Sequence, residues 1–188
     1  MKHTKSKTEL FFKYNDSLNR ELRLLADDPN FENVVKILKK AKNRKRAVYL
    51  CGNGGSAANA NHFATDLLFG LNKNLGSSWR VFALSSNPSL LTCLGNDIGY
   101  EKIFSKQLES CGRAFDLLIV YSGSGNSANI LNALKTARKL KMRSIAFVGF
   151  EGGKAKKLAD FCLHFPVHDM QISEDLHMIT SHLLLRLL

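Results

Sequence analysis

No apolar run in this chain approaches the roughly 20 residues that a membrane-spanning helix needs, and its four cysteines include no C-x-x-C pair. The first absence excludes a spanning helix. The second argues against a thiol metal site or redox motif, and Cys51, Cys93, Cys111 and Cys162 lie far apart and mostly inside apolar runs, as reduced core residues would. Met1-Lys2-His3-Thr4-Lys5 is not followed by the apolar core of a signal peptide, so the expected location is the cytoplasm. Acidic residues are scarce, 16 against 27 Lys and Arg, which leaves a formal charge of +11. Seven of the cations fall between Lys36 and Arg46, a run without any aromatic residue on which a base could stack. The run therefore reads as the solvated end of a helix rather than a nucleic-acid surface, and an anionic substrate explains a positive field equally well.

What the chain does have is a regular alternation. An amphipathic helix is expected over residues 8–26, where Phe11, Tyr14, Leu18, Leu22 and Leu25 follow i, i+3, i+4 spacing, and a second over 31–42. Strand-length apolar runs follow at 47–51, 80–85, 116–121, 143–148 and 161–165, separated by helices near 55–69, 99–110, 126–141 and 153–159. A last helix is expected from Ser173 onward. Near-continuous apolar strands alternating with helices predict one α/β domain over 1–188, with a parallel sheet covered on both faces. The segment 1–46 precedes a unit that is already complete, so its apolar stripe is assigned to oligomerisation.

Two glycine-serine loops carry the functional signal. Cys51-Gly52-Asn53-Gly54-Gly55-Ser56 and Ser122-Gly123-Ser124-Gly125-Asn126-Ser127 each lie between a strand-like run and a helix-like run. Unpaired amides and the helix dipole favour an anion at such a turn, and serine hydroxyls add uncharged donors. Neither loop has the lysine of a P-loop or the complete G-x-G-x-x-G pattern of a dinucleotide fold, so a phosphate fits without implying a nucleotide. Chemistry is offered by two helices. His62 and Asp66 are four apart, and a rotation of about 100° per residue puts Gln171, Glu174, Asp175 and His182 on one broad face while His177 points elsewhere. An imidazole and a carboxylate from each helix make a candidate metal set or acid/base set.

The segments Leu50–Ala58, His62–Ala64, Leu94–Tyr100, Ile103–Ser105, Ser122–Asn129 and Gly152–Lys154 together resemble the phosphoheptose isomerases, a branch of the SIS (sugar isomerase) domain family. The resemblance implies a three-layer, flavodoxin-like sandwich with a five-stranded parallel sheet behind N-terminal helices. It also implies a homotetramer, one zinc ion per subunit, and interconversion of sedoheptulose 7-phosphate with D-glycero-D-manno-heptose 7-phosphate for surface polysaccharide. Carried over by position, Asn53, Gly54, Gly55 and Ser56 contact substrate, Asn96 and Asp97 hold sugar hydroxyls, and Ser122, Gly123, Ser124 and Ser127 cradle phosphate. His62 and His182 match metal ligands, and His182 also serves in proton transfer.

The chain departs from the family at four places. Asp66 stands for the catalytic Glu, Glu174 for a metal-binding Gln, Gly123 where Thr is common, and Gly70 for an Arg; Gln171 is a second candidate for the missing Gln. The metal set is therefore drawn from His62, Asp66, Glu174 and His182, and the catalytic set from Asp66, Glu174 and His182. The paired change suggests an exchange in which Asp66 binds metal and Glu174 acts as base. Two alternatives accompany this expectation: an isomerase of a different ketose phosphate, and a non-catalytic SIS-domain regulator that binds a protein partner such as the replication initiator.

Overall fold

A computed structural model describes residues 6–70 and 79–188. Helix α1 (Lys7–Ala26) starts where the Ser6 hydroxyl accepts from the Glu9 amide, and α2 (Pro29–Asn43) where Asp28 caps a turn opened by Pro29. The sheet strands are β1 (Ala47–Cys51), β2 (Arg80–Ala83), β3 (Leu117–Ser122), β4 (Arg143–Val148) and β5 (Phe161–His164), all parallel in the order β2-β1-β3-β4-β5. β1 and β3 are wholly buried, as the apolar runs Ala47–Cys51 and Leu117–Tyr121 require, whereas β2 and β5 form the edges. Two apolar clusters, one on each sheet face, complete the expected three layers.

Of the connecting helices, α3 (Gly55–Thr65) follows β1, α5 (Ile103–Cys111) precedes β3, α6 (Ala128–Lys139) follows β3, and α7 (Gly153–Leu158) follows β4. Helix α4 (Pro88–Ile98) is additional to the expected elements, and in it Asn87 caps the Leu90 amide and Pro88 occupies the first turn. The helix expected from 99 opens instead as a 3₁₀ turn at Tyr100–Lys102, and the one expected through 69 widens into a π turn at Asp66–Gly70. The last helix, α8 (Met170–Leu187), begins before Ser173 because the Asp169 carboxylate, not a serine, caps the Ile172 amide at 3.0 Å.

The stripe on α1 is split in use. Leu25 is buried and Tyr14, Leu18 and Leu22 pack against the chain's own core, while Phe11 stays 65% exposed beside exposed Leu10 and Phe12. The Tyr14 hydroxyl donates to the Asp175 carboxylate at 2.5 Å, and burial together with that bond pushes its pKa up to about 12. The cysteines are unbonded, but the core expectation holds only for Cys51 and, half-buried, Cys162; Cys93 and Cys111 are exposed.

His177 on α8 is fully buried, with its ring centroid 5.7 Å from that of Phe165 and 6.0 Å from those of Tyr121 and Phe147. Neither ring nitrogen makes a well-formed hydrogen bond, and burial lowers the pKa to about 4 against a slight opposing pull from the Val148 backbone. The unfolded chain takes up this proton near pH 6.5, and the folded chain only near 4. The unfolded state therefore binds more protons inside that window, so stability is full above it and falls as pH drops through it, by roughly 3 kcal/mol. Urea midpoints measured at pH 7 and pH 4.5 should lie closer together in His177→Leu than in the parent.

Candidate active site

In a parallel sheet of this strand order the chain winds one way from β1 to β2 and the other way from β3 to β4, leaving a crevice beyond the carboxyl ends of β1 and β3. Both glycine-serine loops leave the sheet there. They are joined by a reciprocal amide pair, Asn53 Nδ2 to Asn129 Oδ1 at 3.0 Å and Asn129 Nδ2 to Asn53 Oδ1 at 2.8 Å, and the Tyr100 hydroxyl adds a bond to Asn53 Oδ1 at 3.0 Å. Gly125 has φ +64°, and a Cβ on it would stand 2.1 Å from the Gly152 carbonyl oxygen, so only glycine lets the second loop close this tightly.

The loops enclose a cleft of about 260 Å³ that brings together Asn53, Gly54, Gly55, Ser56, Ser122, Gly123, Ser124 and Ser127, with Tyr121, Met170 and Glu174 completing its wall. Ser122 Oγ accepts from the Gly125 amide at 3.1 Å and Ser124 Oγ from the Asn126 amide at 3.2 Å. Each hydroxyl oxygen is thereby anchored while its own proton stays available to a ligand. Gly123 is matched to Met170, whose sulfur lies 2.4 Å from where a Cβ at 123 would be. Local sequence does not mark Tyr121 or Met170 for the site: the first reads as a core strand residue, and the second lies before the helix start expected at Ser173.

Glu174 is the one carboxylate lining this cleft among the described residues. Its Oε2 lies 2.2 Å from the place a Cβ on Gly55 would take, so the absent side chain makes room for the carboxylate. The buried Asn59 amide donates to the Glu174 backbone carbonyl at 2.8 Å, tying α8 to α3 and fixing where the side chain starts.

A second constellation lies where α3 meets the later turns of α8. His62 Nε2 and His182 Nε2 are 2.9 Å apart, and Asp66 Oδ2 is 3.3 Å from the first and 3.7 Å from the second. Tetrahedral zinc with bonds near 2.1 Å sets its ligand atoms about 3.4 Å apart, so these three donors fit the metal and leave a fourth position for another ligand. The cluster holds His62, Asp66 and His182 but not Glu174, which departs from the four-ligand expectation. The expected common face of α8 also divides: Glu174 enters the cleft, His182 joins His62, Asp175 turns to Tyr14, and Gln171 is exposed outside the cleft.

Asn96 and Asp97 lie on α4 and do not line the cleft of their own chain. Asn96 donates to Asp97 at 2.8 Å, and the Cys93 thiol, 3.5 Å from the same carboxylate, has its pKa raised by that bond. A larger groove of about 780 Å³ between β2, α4 and α5 has no carboxylate in its wall and neither loop, so it is not the reaction site.

Residues 13–149 match the SIS domain family. A phosphoheptose isomerase of Akkermansia muciniphila is 39% identical over 158 residues, covering 84% of this chain and 83% of that protein. The solved structure of a phosphoheptose isomerase from Francisella tularensis superposes with a TM-score of 0.90 at 27% identity, covering 97% of this chain and 98% of the other. That of the Neisseria gonorrhoeae phosphoheptose isomerase gives 0.87 at 30% identity, covering 95% and 94%. With its sheet order, its paired loops and these likenesses, the chain belongs to the SIS domain family and, within it, to the phosphoheptose isomerases.

Proposed function

We propose that the cleft interconverts sedoheptulose 7-phosphate and D-glycero-D-manno-heptose 7-phosphate by moving a proton between C1 and C2 through an enediolate. The observation that carries this reading is a single carboxylate, Glu174, held in the same cleft as an uncharged serine cradle. The cradle of Ser122, Ser124 and Ser127 takes the phosphate, helped by the N-terminal end of α6. Glu174 takes the proton from one carbon and returns it to the other. Asn53 and the amides of Gly54, Gly55 and Ser56 face the sugar, where donors stabilise the developing oxyanion. His182 serves in proton transfer, as the family resemblance implies.

His62, Asp66 and His182 would hold one zinc ion per subunit, which would supply Lewis-acid polarisation of the sugar oxygens. The active protein is proposed to be a homotetramer built through the N-terminal segment 1–46, whose exposed Leu10, Phe11 and Phe12 are available for burial. Asn96 and Asp97 then serve sugar hydroxyls at a site completed between subunits. No helix among the described residues is long and apolar enough to cross a membrane, and the proposed setting is the cytoplasm, upstream of lipopolysaccharide or capsule heptose. Purified protein should convert sedoheptulose 7-phosphate to the aldose and scatter light as a tetramer. No turnover in the zinc-loaded protein would return the non-catalytic regulator as the better reading, and a monomer would remove the shared site.

A further inference from the structure

The basic run between Lys36 and Arg46 takes no part in the cleft, and the fold gives it the aromatic partner that its own sequence lacks. Phe115 precedes β3, at the amino end of the strand whose carboxyl end carries the serine cradle. There Lys40, Arg44, Arg46 and Arg143 surround a pocket of about 310 Å³ that Phe115 helps to line.

Three features set this pocket apart from an ordinary solvated face. Arg143 is held by Asp160 at 3.1 Å, but among the described residues no carboxylate pairs with Lys40, Arg44 or Arg46. The Arg46 guanidinium lies 5.4 Å from the centre of the Phe115 ring, and its Nε is buried without a hydrogen-bond partner. Phe115 itself has φ +71°, which bulky side chains rarely adopt, and the residue is 66% exposed. The strained loop is fixed by its surroundings: the Phe115 amide donates to Lys141 O at 3.0 Å, and the Asp116 carboxylate accepts from the Ala47 and Arg113 amides at 2.9 and 3.0 Å. Strain that the surroundings hold in place beside exposed functional groups is a mark of a binding site.

We infer that this pocket binds a nucleoside polyphosphate, its base stacked on Phe115 and its phosphates on Lys40, Arg44 and Arg46. Guanidinium forks match phosphate oxygens, and an aromatic ring beside cations is the usual platform for a base. Three unpaired cations suit the charge of a di- or triphosphate, and the volume lies at the lower end of small-molecule sites, about 300–1,000 Å³. Because the pocket and the cleft occupy opposite ends of β3, the nucleotide and the sugar phosphate do not compete.

Isothermal titration of the full-length protein with ATP tests this, with inorganic tripolyphosphate as the base-free control and an oligo-dT strand as the polymeric one. ATP should bind at least about tenfold more tightly than tripolyphosphate. Phe115→Gly should weaken ATP by about tenfold, as should Arg44→Gln, whereas Ser122→Ala/Ser124→Ala should leave it unchanged. Glycine relieves the positive φ, so Phe115→Gly should melt no lower than the parent, and its loss of binding would not be unfolding. Absence of ATP binding, equal affinity for tripolyphosphate, unchanged affinity in Phe115→Gly, or loss in the serine variant would each overturn the proposal. Tighter binding of oligo-dT than of ATP would overturn it in favour of a nucleic-acid surface.

Discussion

Glu174→Gln should reduce turnover of sedoheptulose 7-phosphate by about 10²- to 10⁴-fold, the usual worth of a positioned general base, and leave the zinc content unchanged. Both halves follow from where the carboxylate sits. It lies over Gly55 in the cleft with the serine cradle, and it is not part of the His62, Asp66 and His182 cluster. Glutamine has nearly the same shape and fills the same space, so the fold and the Asn59 bond to the Glu174 backbone should persist while the base is lost. Asp66→Asn should do the reverse. It removes the one carboxylate of the metal set, and zinc measured by elemental analysis after dialysis should fall well below one per subunit. If Glu174→Gln stays active and Asp66→Asn keeps its metal but is inert, the family's ordinary assignment of roles applies and the exchange is wrong.

The second large effect is expected at the phosphate. Ser122→Ala/Ser124→Ala should raise KM on the order of 10²-fold or more, since each hydrogen bond to a charged group is worth about 1.5–3 kcal/mol. kcat should change far less, because the phosphate is remote from the reacting carbons and its binding is felt in ground and transition states alike. The hydroxyls also accept from the Gly125 and Asn126 amides, so the variant leaves two loop amides without those acceptors. Ser124 is exposed to water that can replace the acceptor, but Ser122 is buried, so a modest drop in melting temperature should accompany the KM effect. Unchanged KM would mean that the phosphate is held elsewhere.

Much of the molecule was legible in local sequence. The apolar runs of β1 and β3 and the glycine-serine turns after them are short-range patterns, and a parallel sheet carries such turns to its carboxyl edge whatever the rest of the chain does. The i, i+4 pairing of His62 with Asp66 was equally readable, because four residues make about one helical turn. Helix α4 has its start signal in Asn87-Pro88, but the Ser- and Leu-rich segment that follows shows neither a clear strand pattern nor a clear helical one.

Other features were decided only when distant segments packed. Helical rotation puts Glu174, Asp175 and His182 on one side of α8, but it cannot say which neighbour each meets. The crossing of α8 with α3 and α1 sends Glu174 to Gly55, His182 to His62 and Asp175 to Tyr14. The same holds for the basic run, whose want of an aromatic ring was true of its sequence and not of its surroundings, since Phe115 arrives from the far side of β1 and β2 in the chain. Periodicity is a property of neighbours along the backbone, whereas a metal set, a catalytic carboxylate or a stacking platform is a property of neighbours in space. Here the order of the strands and the crossing of the helices determined the second.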